Sequence, residues 1–370
     1  MSRRIIVWGA TGYTGGLVAG QLAEAHVPGV VLAGRSGRRL DELAARLPGE
    51  QEVAVADSER PATVRALVKG DDVVVATVGP FSRHGWTAAQ VCADVGGTYL
   101  DSTGEPPFIR RVADELGPLA TERGAVLAPA FGYDFVPGQL AAVHALRRAP
   151  TATGIRVGYF TGGGGAGRWT SGGTEASIAS VVAEPSYAWR RGRLTTERAA
   201  ARVHAFPATG GELTGISVGG AEHLFLPRTF GQLRDVDVYL GWAGRRSRLV
   251  QAGSAVTSLL TRVPGTTTAI DRATSRFVRG STGGPSEADR AKVCTRVIAH
   301  AVADDGAVLA RCELRGPNPY DLTAALLQRT ARRLRDGEIK PAPGVLGPAE
   351  LLGVDGFLAL GDEVGLRLVD

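Results

Sequence analysis

The stretch Gly9-Ala-Thr-Gly-Tyr-Thr-Gly15 follows the apolar run Ile5-Ile-Val-Trp8 directly and leads into the largely apolar segment 17–22. Its glycines recur at every third position, a G-x-x-G-x-x-G spacing in place of the more usual dinucleotide pattern G-x-G-x-x-G. A glycine turn between a strand and a helix places backbone N–H groups at a helix N-terminus, where the helix dipole favours phosphate. The stretch therefore predicts the phosphate-binding loop of a dinucleotide site.

The three glycines serve different purposes in such a loop. The first permits a tight turn, the second lets the phosphates approach the backbone, and the third lets the helix pack near the strand. The hydroxyl-bearing residues between them add further donors. The loop residues that we expect to bind the cofactor are Gly9, Thr11, Gly12, Tyr13, Thr14 and Gly15.

The first 130 residues alternate short apolar runs with amphipathic segments. The runs are rich in β-branched residues and bounded by Gly, Asp or Pro, which is typical of strands. The predicted strands are 5–8, 30–33, 53–55, 73–78, 98–100 and 125–127. The predicted helices are 12–25, 38–47, 62–68, 87–95 and 109–122. Six strands alternating with helices predict a parallel, doubly wound sheet.

The pattern changes after about residue 150. Apolar and polar residues alternate at 235–241, 293–302 and 307–314, which favours antiparallel strands with one solvated face. A further strand is predicted at 154–160 and a glycine-rich loop at 161–173. The predicted helices here are 174–183, capped by Thr174, then 322–334, and one beginning at Pro348.

The sequence thus predicts an α/β protein with a Rossmann-type doubly wound parallel sheet and a second α+β domain that contains a mixed or antiparallel sheet. The predicted divisions are an NADP-binding Rossmann domain at 1–150, a substrate-binding and dimerisation domain at 151–345, and a C-terminal helix and strand at 346–370 that pack back on the first domain. A homodimer is the assembly that we consider for this arrangement.

Composition narrows the class of protein. The 370 residues are 44% hydrophobic and 21% charged, and no apolar run approaches the roughly 18 residues of a membrane span. The first residues enter a strand without a signal-peptide pattern, so we expect a cytoplasmic protein. Cys92, Cys294 and Cys312 are widely spaced, which indicates reduced thiols and no metal site.

The net charge of +5 comes largely from arginine. The basic residues are dispersed and accompany no nucleic-acid-binding motif, so we expect no nucleic-acid partner. The segment 245–279 is basic and amphipathic, which is compatible with peripheral contact to an anionic membrane. A surface helix pair packed on the core explains the same pattern and is the interpretation that we favour.

The end of the second predicted strand indicates which dinucleotide fits. An acidic residue there would accept a hydrogen bond from a ribose 2′-OH, but the sequence reads Leu32-Ala-Gly-Arg-Ser36. A guanidinium beside a hydroxyl suits a 2′-phosphate. We therefore expect Arg35 and Ser36 to select NADP, with Arg38 and Arg39 assisting. The alternative is that Arg35 only covers the sheet surface.

Two further positions follow from the fold. Ligands of such sheets lie beyond the carboxyl ends of the strands. Asp57 follows the third strand, where we expect it to meet the adenine amino group. Val78, Gly79 and Pro80 follow the fourth strand, where we expect them to border the cofactor ribose.

Several motifs occur together in a fixed order along the chain. The glycine loop is followed by Ala33-Gly-Arg35, Val78-Gly-Pro-Phe81, Tyr99-Leu-Asp-Ser-Thr-Gly-Glu105 and Gly132-Tyr-Asp-Phe-Val-Pro137. This set resembles the saccharopine-dehydrogenase-like oxidoreductases, nearest the branch of trans-acting enoyl reductases of polyketide and lipid assembly.

The resemblance continues through the second half of the chain. The later motifs are Ser171-Gly-Gly-Thr174, Gly284-Pro-Ser-Glu287, Gly316-Pro-Asn-Pro-Tyr320 and Pro343-Gly-Val-Leu-Gly-Pro348. The chain departs from the family pattern at Asn318, where an aspartate-glycine pattern is more usual, and at Ser102 and Val136.

The resemblance implies hydride transfer from NADPH to a polarised double bond. In enoyl reductases the bond is C=C, and in saccharopine-type imine reduction it is C=N. The expected partner is a small-molecule or carrier-bound acyl substrate of polyketide, lipid or secondary metabolism. The alternatives are an imine reductase and a cofactor-binding sensor or scaffold without catalysis.

Catalytic candidates lie where the chain leaves the last Rossmann strand. Tyr133 is a candidate proton donor, and Asp134 either orients a substrate or caps the helix that begins near Pro137. Tyr320 either lines the site or anchors the last long helix. The glycine-rich loop up to Thr174 is a candidate lid over the ligand.

Other polar residues near the strand ends have less claim to catalysis. Asp101 and Glu105 form a close pair of acids, which we interpret as supporting the turn between them. His84 follows the fourth strand and is a candidate to reach the nicotinamide. The remaining histidines lack the spacing of metal ligands.

Overall fold

The computed structural model describes residues 3–163, 185–208, 211–241, 247–248, 251 and 283–369. The predicted helix at 174–183 with its cap Thr174, residues 164–173 of the glycine-rich loop, and most of the amphipathic segment 245–279 lie outside the described residues. The described chain forms two sheets with helices packed on both.

The first sheet is parallel and has seven strands within the described residues. They are β1 (Ile5–Trp8), β2 (Val30–Gly34), β3 (Glu52–Val55), β4 (Val73–Ala76), β5 (Thr98–Asp101), β6 (Val126–Ala128) and, from near the C-terminus, β15 (Gly344–Val345). Their order is β15-β6-β5-β4-β1-β2-β3. The central strands β1 and β4 are uninterrupted apolar runs that are buried along their whole length, as expected of strands covered on both faces.

The six predicted Rossmann strands are all present, and β15 adds a seventh at the edge next to β6. The helices between them are α1 (Tyr13–Glu24), α2 (Gly37–Ala44), α3 (Pro61–Leu67), α4 (Phe81–His84), α5 (Trp86–Val95), α6 (Pro106–Arg111) and α7 (Gly117–Arg123). The single helix predicted at 109–122 is wrong in one respect. A π-helical turn at Val112–Leu116 separates α6 from α7, because Pro118 has no N–H to continue the α-helical hydrogen bonding.

The second sheet has nine strands within the described residues. They are β7 (Gly154–Gly163), β8 (Pro185–Arg190), β9 (Arg193–Arg198), β10 (Val203–Ala208), β11 (Gly211–Val218), β12 (Asp235–Leu240), β13 (Val293–Val302), β14 (Val308–Gly316) and β16 (Arg367–Val369). The order β10-β11-β12-β7-β13-β14-β16 is antiparallel except for β12 and β7, so the sheet is mixed. The β8–β9 hairpin attaches to β12. The predicted fold class is confirmed.

The remaining described helices follow the first six strands in the sequence, and two of them pack on different sheets. They are α8 (Val136–Arg148), α9 (Glu222–Thr229), α10 (Glu287–Arg290), α11 (Pro319–Asp336), α12 (Pro348–Leu352) and α13 (Val354–Glu363). Helix α8 packs on β7, β13 and β14 of the second sheet, whereas α11 packs on α1 and β4 of the first. None of the described helices is long and apolar enough to cross a bilayer.

Two helices make contacts across the expected division near residue 150. Helix α8 comes before the first division yet covers the second sheet, and α11 comes after it yet covers the first. At the C-terminus α13 packs on α8, while β16 extends the second sheet beside β14. One continuous apolar core consequently reaches from β1 to β13.

Candidate active site

The glycine loop turns sharply between β1 and α1. Gly9 has φ +86°, a conformation that favours glycine, and its amide donates to the Ala33 carbonyl of β2 at 2.9 Å. A Cβ atom at Gly15 would lie 2.2 Å from the Gly9 carbonyl oxygen and 2.7 Å from Thr77 Oγ1. The third glycine is thus what allows α1 to lie against the loop and the end of β4.

The start of α1 fits a pyrophosphate. Gly12 is the N-cap residue and no side chain caps the helix, so the first-turn amides keep their hydrogen-bonding capacity for a ligand. The order of the strands reverses at β1, whose neighbours are β2 and β4, and crevices at such switch points hold the ligands of this fold. The loop and its surroundings therefore suit a dinucleotide.

Val78, Gly79 and Pro80 border the loop on the β4 side. A Cβ atom at Gly9 would lie 2.7 Å from Val78 Cγ2, so the two segments are in close contact. Pro80 is the N-cap residue of α4. This segment is therefore adjacent to the phosphate loop, as the fold-based expectation requires of residues beside a cofactor.

Glu105 holds the start of α4 in place. Its carboxylate oxygens accept hydrogen bonds from the backbone amides of Phe81 at 2.8 Å and Ser82 at 2.9 Å. Asp101 has a similar use, because Oδ1 accepts from the amides of Thr103 at 2.9 Å and Ala130 at 2.8 Å. Both acids support the turns at the carboxyl ends of the strands.

Arg35 is exposed at the carboxyl end of β2, next to the loop. A Cβ atom at Gly34 would lie 3.9 Å from Thr11 Oγ1, which brings this end of β2 beside the loop. Ser36 is the N-cap residue of α2 without a capping hydrogen bond. Arg38 is paired with Glu42 one turn further along. The side chains of Arg35 and Ser36 thus remain available to a ligand.

Asp57 lies just beyond β3, and its Oδ1 accepts from the Glu59 amide at 3.0 Å. Next to it, Ser58 Oγ lies 3.4 Å from His84 Nδ1. His84 is therefore held beside the end of β3, the side on which the adenine of a bound dinucleotide is expected. The approach of His84 to the nicotinamide stays a prediction.

Tyr13 connects the phosphate loop to the second half of the chain. Its hydroxyl donates to the Pro285 carbonyl at 2.5 Å and accepts from Arg290 Nη1 at 2.9 Å. Arg290 is in turn paired with Asp321 at 2.8 Å. The Tyr13 hydroxyl, expected to assist phosphate binding, is therefore engaged in holding the segment 283–290 against the loop.

Tyr320 packs against Tyr13 at this contact between the phosphate loop and the second half of the chain. Its ring meets the Tyr13 ring edge to face, with the centroids 5.0 Å apart. Asn318, a departure from the family pattern, caps α11, because its Oδ1 accepts from the amides of Tyr320 at 3.1 Å and Asp321 at 3.0 Å. Asparagine is among the preferred N-cap residues, so this departure is compatible with the helix start.

Tyr133 and Asp134 lie in a turn between β6 and α8. The Tyr133 amide donates to Thr323 Oγ1 of α11 at 3.0 Å, and its hydroxyl donates to the Phe160 carbonyl of β7 at 3.3 Å. A Cβ atom at Gly104 would lie 2.8 Å from Asp134 Oδ2. The turn thus faces the end of β5, the start of α11 and the second sheet.

The interpretation of Asp134 as a helix cap is wrong. Helix α8 begins at Val136, its N-cap residue is Phe135, and no side chain caps it. The carboxyl of Asp134 makes no hydrogen bond with any side chain or backbone group in the described part of the chain. A half-buried carboxyl without a protein partner is free to meet a substrate.

Burial sets the ionisation of these groups. It raises the pKa of the Asp134 carboxyl to about 6 and the pKa of the Tyr133 hydroxyl well above its usual value. It also raises the pKa of Asp101 to about 7, although hydrogen bonds from two amides oppose this shift. Tyr133 therefore stays protonated at neutral pH, whereas Asp134 exchanges its proton close to neutrality.

Sequence reasoning missed two sets of residues at this site. The first set is Pro285 and Arg290, which lie in or just after the motif Gly284-Pro-Ser-Glu287. The motif could be recognised in the sequence, but nothing in the sequence indicated that it contacts Tyr13. The second is Glu222, which had no signal, because a single acid outside any motif gives no pattern. It is buried and bonded to Tyr159 directly behind the Tyr133–Asp134 turn.

Comparison with protein families gives one domain match. Residues 5–127 match the saccharopine dehydrogenase NADP-binding domain. This range covers β1 to β5 and all but the last residue of β6, and it includes the glycine loop and the segments that follow β2, β3 and β4. The family match and the geometry of the glycine loop therefore both indicate a domain that binds a nicotinamide dinucleotide.

Two curated relatives match nearly the whole chain. A Mycobacterium tuberculosis protein, provisionally named a trans-acting enoyl reductase, is 31% identical over 400 residues, covering 94% of this chain and 93% of the relative. A trans-acting enoyl reductase of Mycobacterium ulcerans is 28% identical over 420 residues, covering 98% and 96%.

Two solved structures share the fold over its full length. Apo saccharopine dehydrogenase (L-Glu forming) from Saccharomyces cerevisiae has a TM-score of 0.61 at 14% identity, covering 99% of both chains. The homospermidine synthase of Legionella pneumophila in complex with NAD has a TM-score of 0.62 at 10% identity, covering 100% of this chain and 92% of the other. At these identities the likeness concerns the architecture.

Proposed function

Because the chain belongs to the saccharopine dehydrogenase-like oxidoreductases, we propose that it is an NADPH-dependent reductase acting on the C=C bond of an enoyl substrate. The observation that carries this proposal is the similarity to trans-acting enoyl reductases over 94% of the chain. The proposed substrate is a small-molecule or carrier-bound acyl thioester of polyketide, lipid or secondary metabolism.

The proposed preference for NADP rests on Arg35 and Ser36. No acid stands at the end of β2 to accept from a ribose 2′-OH, and the Arg35 guanidinium is exposed there. In this proposal the amides at the start of α1 hold the pyrophosphate, Asp57 meets the adenine, and Val78–Pro80 border the ribose.

When bound, NADPH supplies a hydride to the β-carbon of the enoyl group. Negative charge then develops on the thioester carbonyl oxygen, and a hydrogen-bond donor facing that oxygen stabilises it. We assign this task to the Tyr133 hydroxyl, which keeps its proton at neutral pH. Its bond to the Phe160 carbonyl is long, at 3.3 Å, so exchanging it for a substrate oxygen costs little.

The reduction also requires a proton at the α-carbon. We assign its delivery to the Asp134 carboxyl, which lacks a protein hydrogen bond and has a pKa of about 6. An acid with a pKa near the operating pH serves both to give and to regain a proton. Each turnover consumes one NADPH and one proton and yields the saturated thioester and NADP⁺. Tyr320 lines the cofactor side of the site in this scheme.

A panel of acceptors tests the proposal. The purified protein is mixed with NADPH and either crotonyl N-acetylcysteamine thioester or a 2-oxo acid together with a primary amine. Formation of the saturated thioester in step with NADPH oxidation supports the enoyl reductase. Formation of a secondary amine instead overturns it in favour of an imine reductase. Tight NADPH binding without turnover of either acceptor overturns it in favour of a sensor or scaffold.

Two substitutions test the assigned residues. We expect Tyr133→Phe and Asp134→Asn each to lower kcat by about 10²-fold, the usual size of a lost acid or base, while NADPH binding stays close to that of the wild type. Gly356→Ala on α13 is the control, since a Cβ atom there makes only ordinary contact at 3.7 Å. Unchanged kcat in both variants would remove these residues from the mechanism.

A further inference from the structure

Glu222 is an acid buried where the mechanism above has no use for it. It is the first residue of α9, is fully shielded from solvent, and approaches Tyr159 of β7, with its Oε1 2.5 Å from the Tyr159 hydroxyl oxygen. Burying a carboxyl costs free energy unless its proton or its hydrogen bonds compensate. Its place therefore calls for a specific role.

The protons in this contact can be assigned by counting. The Tyr159 hydroxyl has one proton and two oxygen atoms within reach, Glu222 Oε1 and the Phe135 carbonyl oxygen at 2.9 Å. If Tyr159 donates to the carbonyl, the proton between Tyr159 and Glu222 must come from the carboxyl. Burial raises the pKa of Glu222 to about 8, so the carboxyl carries that proton at neutral pH.

Two glycines leave the space for this pair. A Cβ atom at Gly138 would lie 2.0 Å from the Tyr159 hydroxyl oxygen and 2.5 Å from Glu222 Oε1. A Cβ atom at Gly220 would lie 2.7 Å from Glu222 Oε2 and 3.0 Å from the Phe135 ring. A larger residue at either position would collide with Glu222 and its neighbours. The two glycines therefore allow Glu222 to reach the Tyr159 hydroxyl.

The hydrogen bonds that run from Glu222 through Tyr159 end at the Phe135 carbonyl, on the turn that carries Asp134. Because the Asp134 carboxyl makes no hydrogen bond of its own among the described residues, its position depends on the backbone at either side. On one side the Tyr133 amide is bonded to Thr323 at 3.0 Å, and on the other the Phe135 carbonyl is bonded to Tyr159. When Glu222 carries the proton of its contact with Tyr159, the single Tyr159 proton is left for the Phe135 carbonyl.

We propose that Glu222 is a positioning residue, which acts through Tyr159 and the Phe135 carbonyl to hold the Asp134 carboxyl towards the substrate. This inference rests on the proposed function only for the role of Asp134 in proton transfer. The hydrogen bonds from Glu222 through Tyr159 to Phe135, and the way they hold the turn, belong to the fold and do not depend on the reaction. Both levels are open to separate measurement.

The hold on the turn is tested without substrate, by amide hydrogen exchange of the segment 130–140 in the full-length protein. The variants are Glu222→Leu and Tyr159→Phe, which remove the bond, and Glu222→Gln, whose amide still donates to Tyr159. Tyr187→Phe is the control, because the buried Tyr187 hydroxyl has no partner in the described structure. We expect faster exchange in the first two variants and wild-type exchange in the other two.

The consequence for the reaction is tested by the split between kcat and KM with the crotonyl thioester. We expect Tyr159→Phe to lower kcat about tenfold with the KM for NADPH within about twofold, and Glu222→Gln to retain wild-type kcat. Tyr159→Phe keeps the ring and its volume, so it distinguishes lost positioning from misfolding in Glu222→Leu. Unchanged exchange in both disrupting variants, or unchanged kcat despite faster exchange, would overturn the inference. Wild-type protein that reduces no thioester contradicts the proposed function instead, and the exchange data still decide the hold on the turn.

Discussion

The Tyr13 hydroxyl donates a hydrogen bond at 2.5 Å to the carbonyl oxygen of Pro285, a residue 272 positions further along the chain. Gly284 makes this approach possible, because a Cβ atom there would lie 2.5 Å from the Tyr13 ring. Arg290 completes the junction by donating to the same hydroxyl at 2.9 Å. The phosphate loop and the segment 283–290 are therefore in direct contact. We expect a displacement of either one to alter the position of the other.

The junction at Tyr13 can be weakened by Tyr13→Phe, which removes both hydrogen bonds and keeps the ring against Tyr320. A lost hydrogen bond of this kind costs about 1 kcal/mol, so we expect a Tm lower by a few degrees and weaker NADPH binding. Thermal unfolding with and without NADPH measures both effects. Tyr187→Phe removes a hydroxyl that has no partner within the described residues and serves as the control. Equal behaviour of the two variants would show that the junction contributes nothing.

Gly15→Ala tests the fit of α1 against the loop. The new Cβ atom would lie 2.2 Å from the Gly9 carbonyl oxygen, a backbone atom that cannot move without opening the loop. We expect at least about tenfold weaker dinucleotide binding, equivalent to ~1.4 kcal/mol, and lower stability. Gly20→Ala on the same helix meets no atom within 4 Å and should stabilise the protein by about 0.5–1 kcal/mol. Cofactor titration of both variants checks the difference, and wild-type affinity in Gly15→Ala would refute the assignment of the loop.

Arg35→Ala tests the choice of dinucleotide. A guanidinium that binds a 2′-phosphate makes charge-assisted hydrogen bonds, so we expect NADPH binding to weaken by about tenfold or more while NADH binding stays the same. The comparison variant is Arg46→Ala, at an exposed arginine beyond the end of α2 that has no assigned role in cofactor binding. Parallel titrations with the two cofactors give the ratio of affinities. A ratio that Arg35→Ala leaves unaltered would mean that another group reads the 2′-position.

Glu222 gives a prediction for stability against pH. A carboxyl whose pKa is raised in the folded protein contributes fully below the pKa of the unfolded chain, near 4.5, and that contribution is lost as the pH rises through about 8. The free energy of unfolding should therefore fall across this range, by at most ~1.4 kcal/mol per pH unit from this group. We expect a shallower fall in Glu222→Gln, measured by denaturant unfolding at a series of pH values. Glu122→Gln, at an exposed glutamate, should keep the wild-type slope, and a parallel slope in both variants would contradict the burial of an ionisable Glu222.

Much of the first sheet was predictable from local sequence. The runs at β1 and β4 are apolar throughout and bounded by glycine or aspartate, and their predicted starts agree with the structure. The seventh strand was not predictable, because Gly344–Val345 is too short to carry a periodic signal and pairs with β6 only through tertiary contacts. The same applies to α8, whose covering of the second sheet depends on where β13 and β14 lie.

The candidate site divides in the same way. The glycine spacing of 9–15 predicted a dinucleotide site, because this feature acts within one strand-turn-helix unit, and the basic end of β2 is the basis of the predicted preference for NADP. The tertiary structure decided which distant groups complete it: Thr323 bonded to Tyr133, Pro285 bonded to Tyr13, and Glu222 bonded to Tyr159. These contacts join residues that are from 63 to 272 positions apart in the sequence, so no local pattern of residues could have indicated them. They arise only when two sheets pack against one core and bury polar groups that must then find partners.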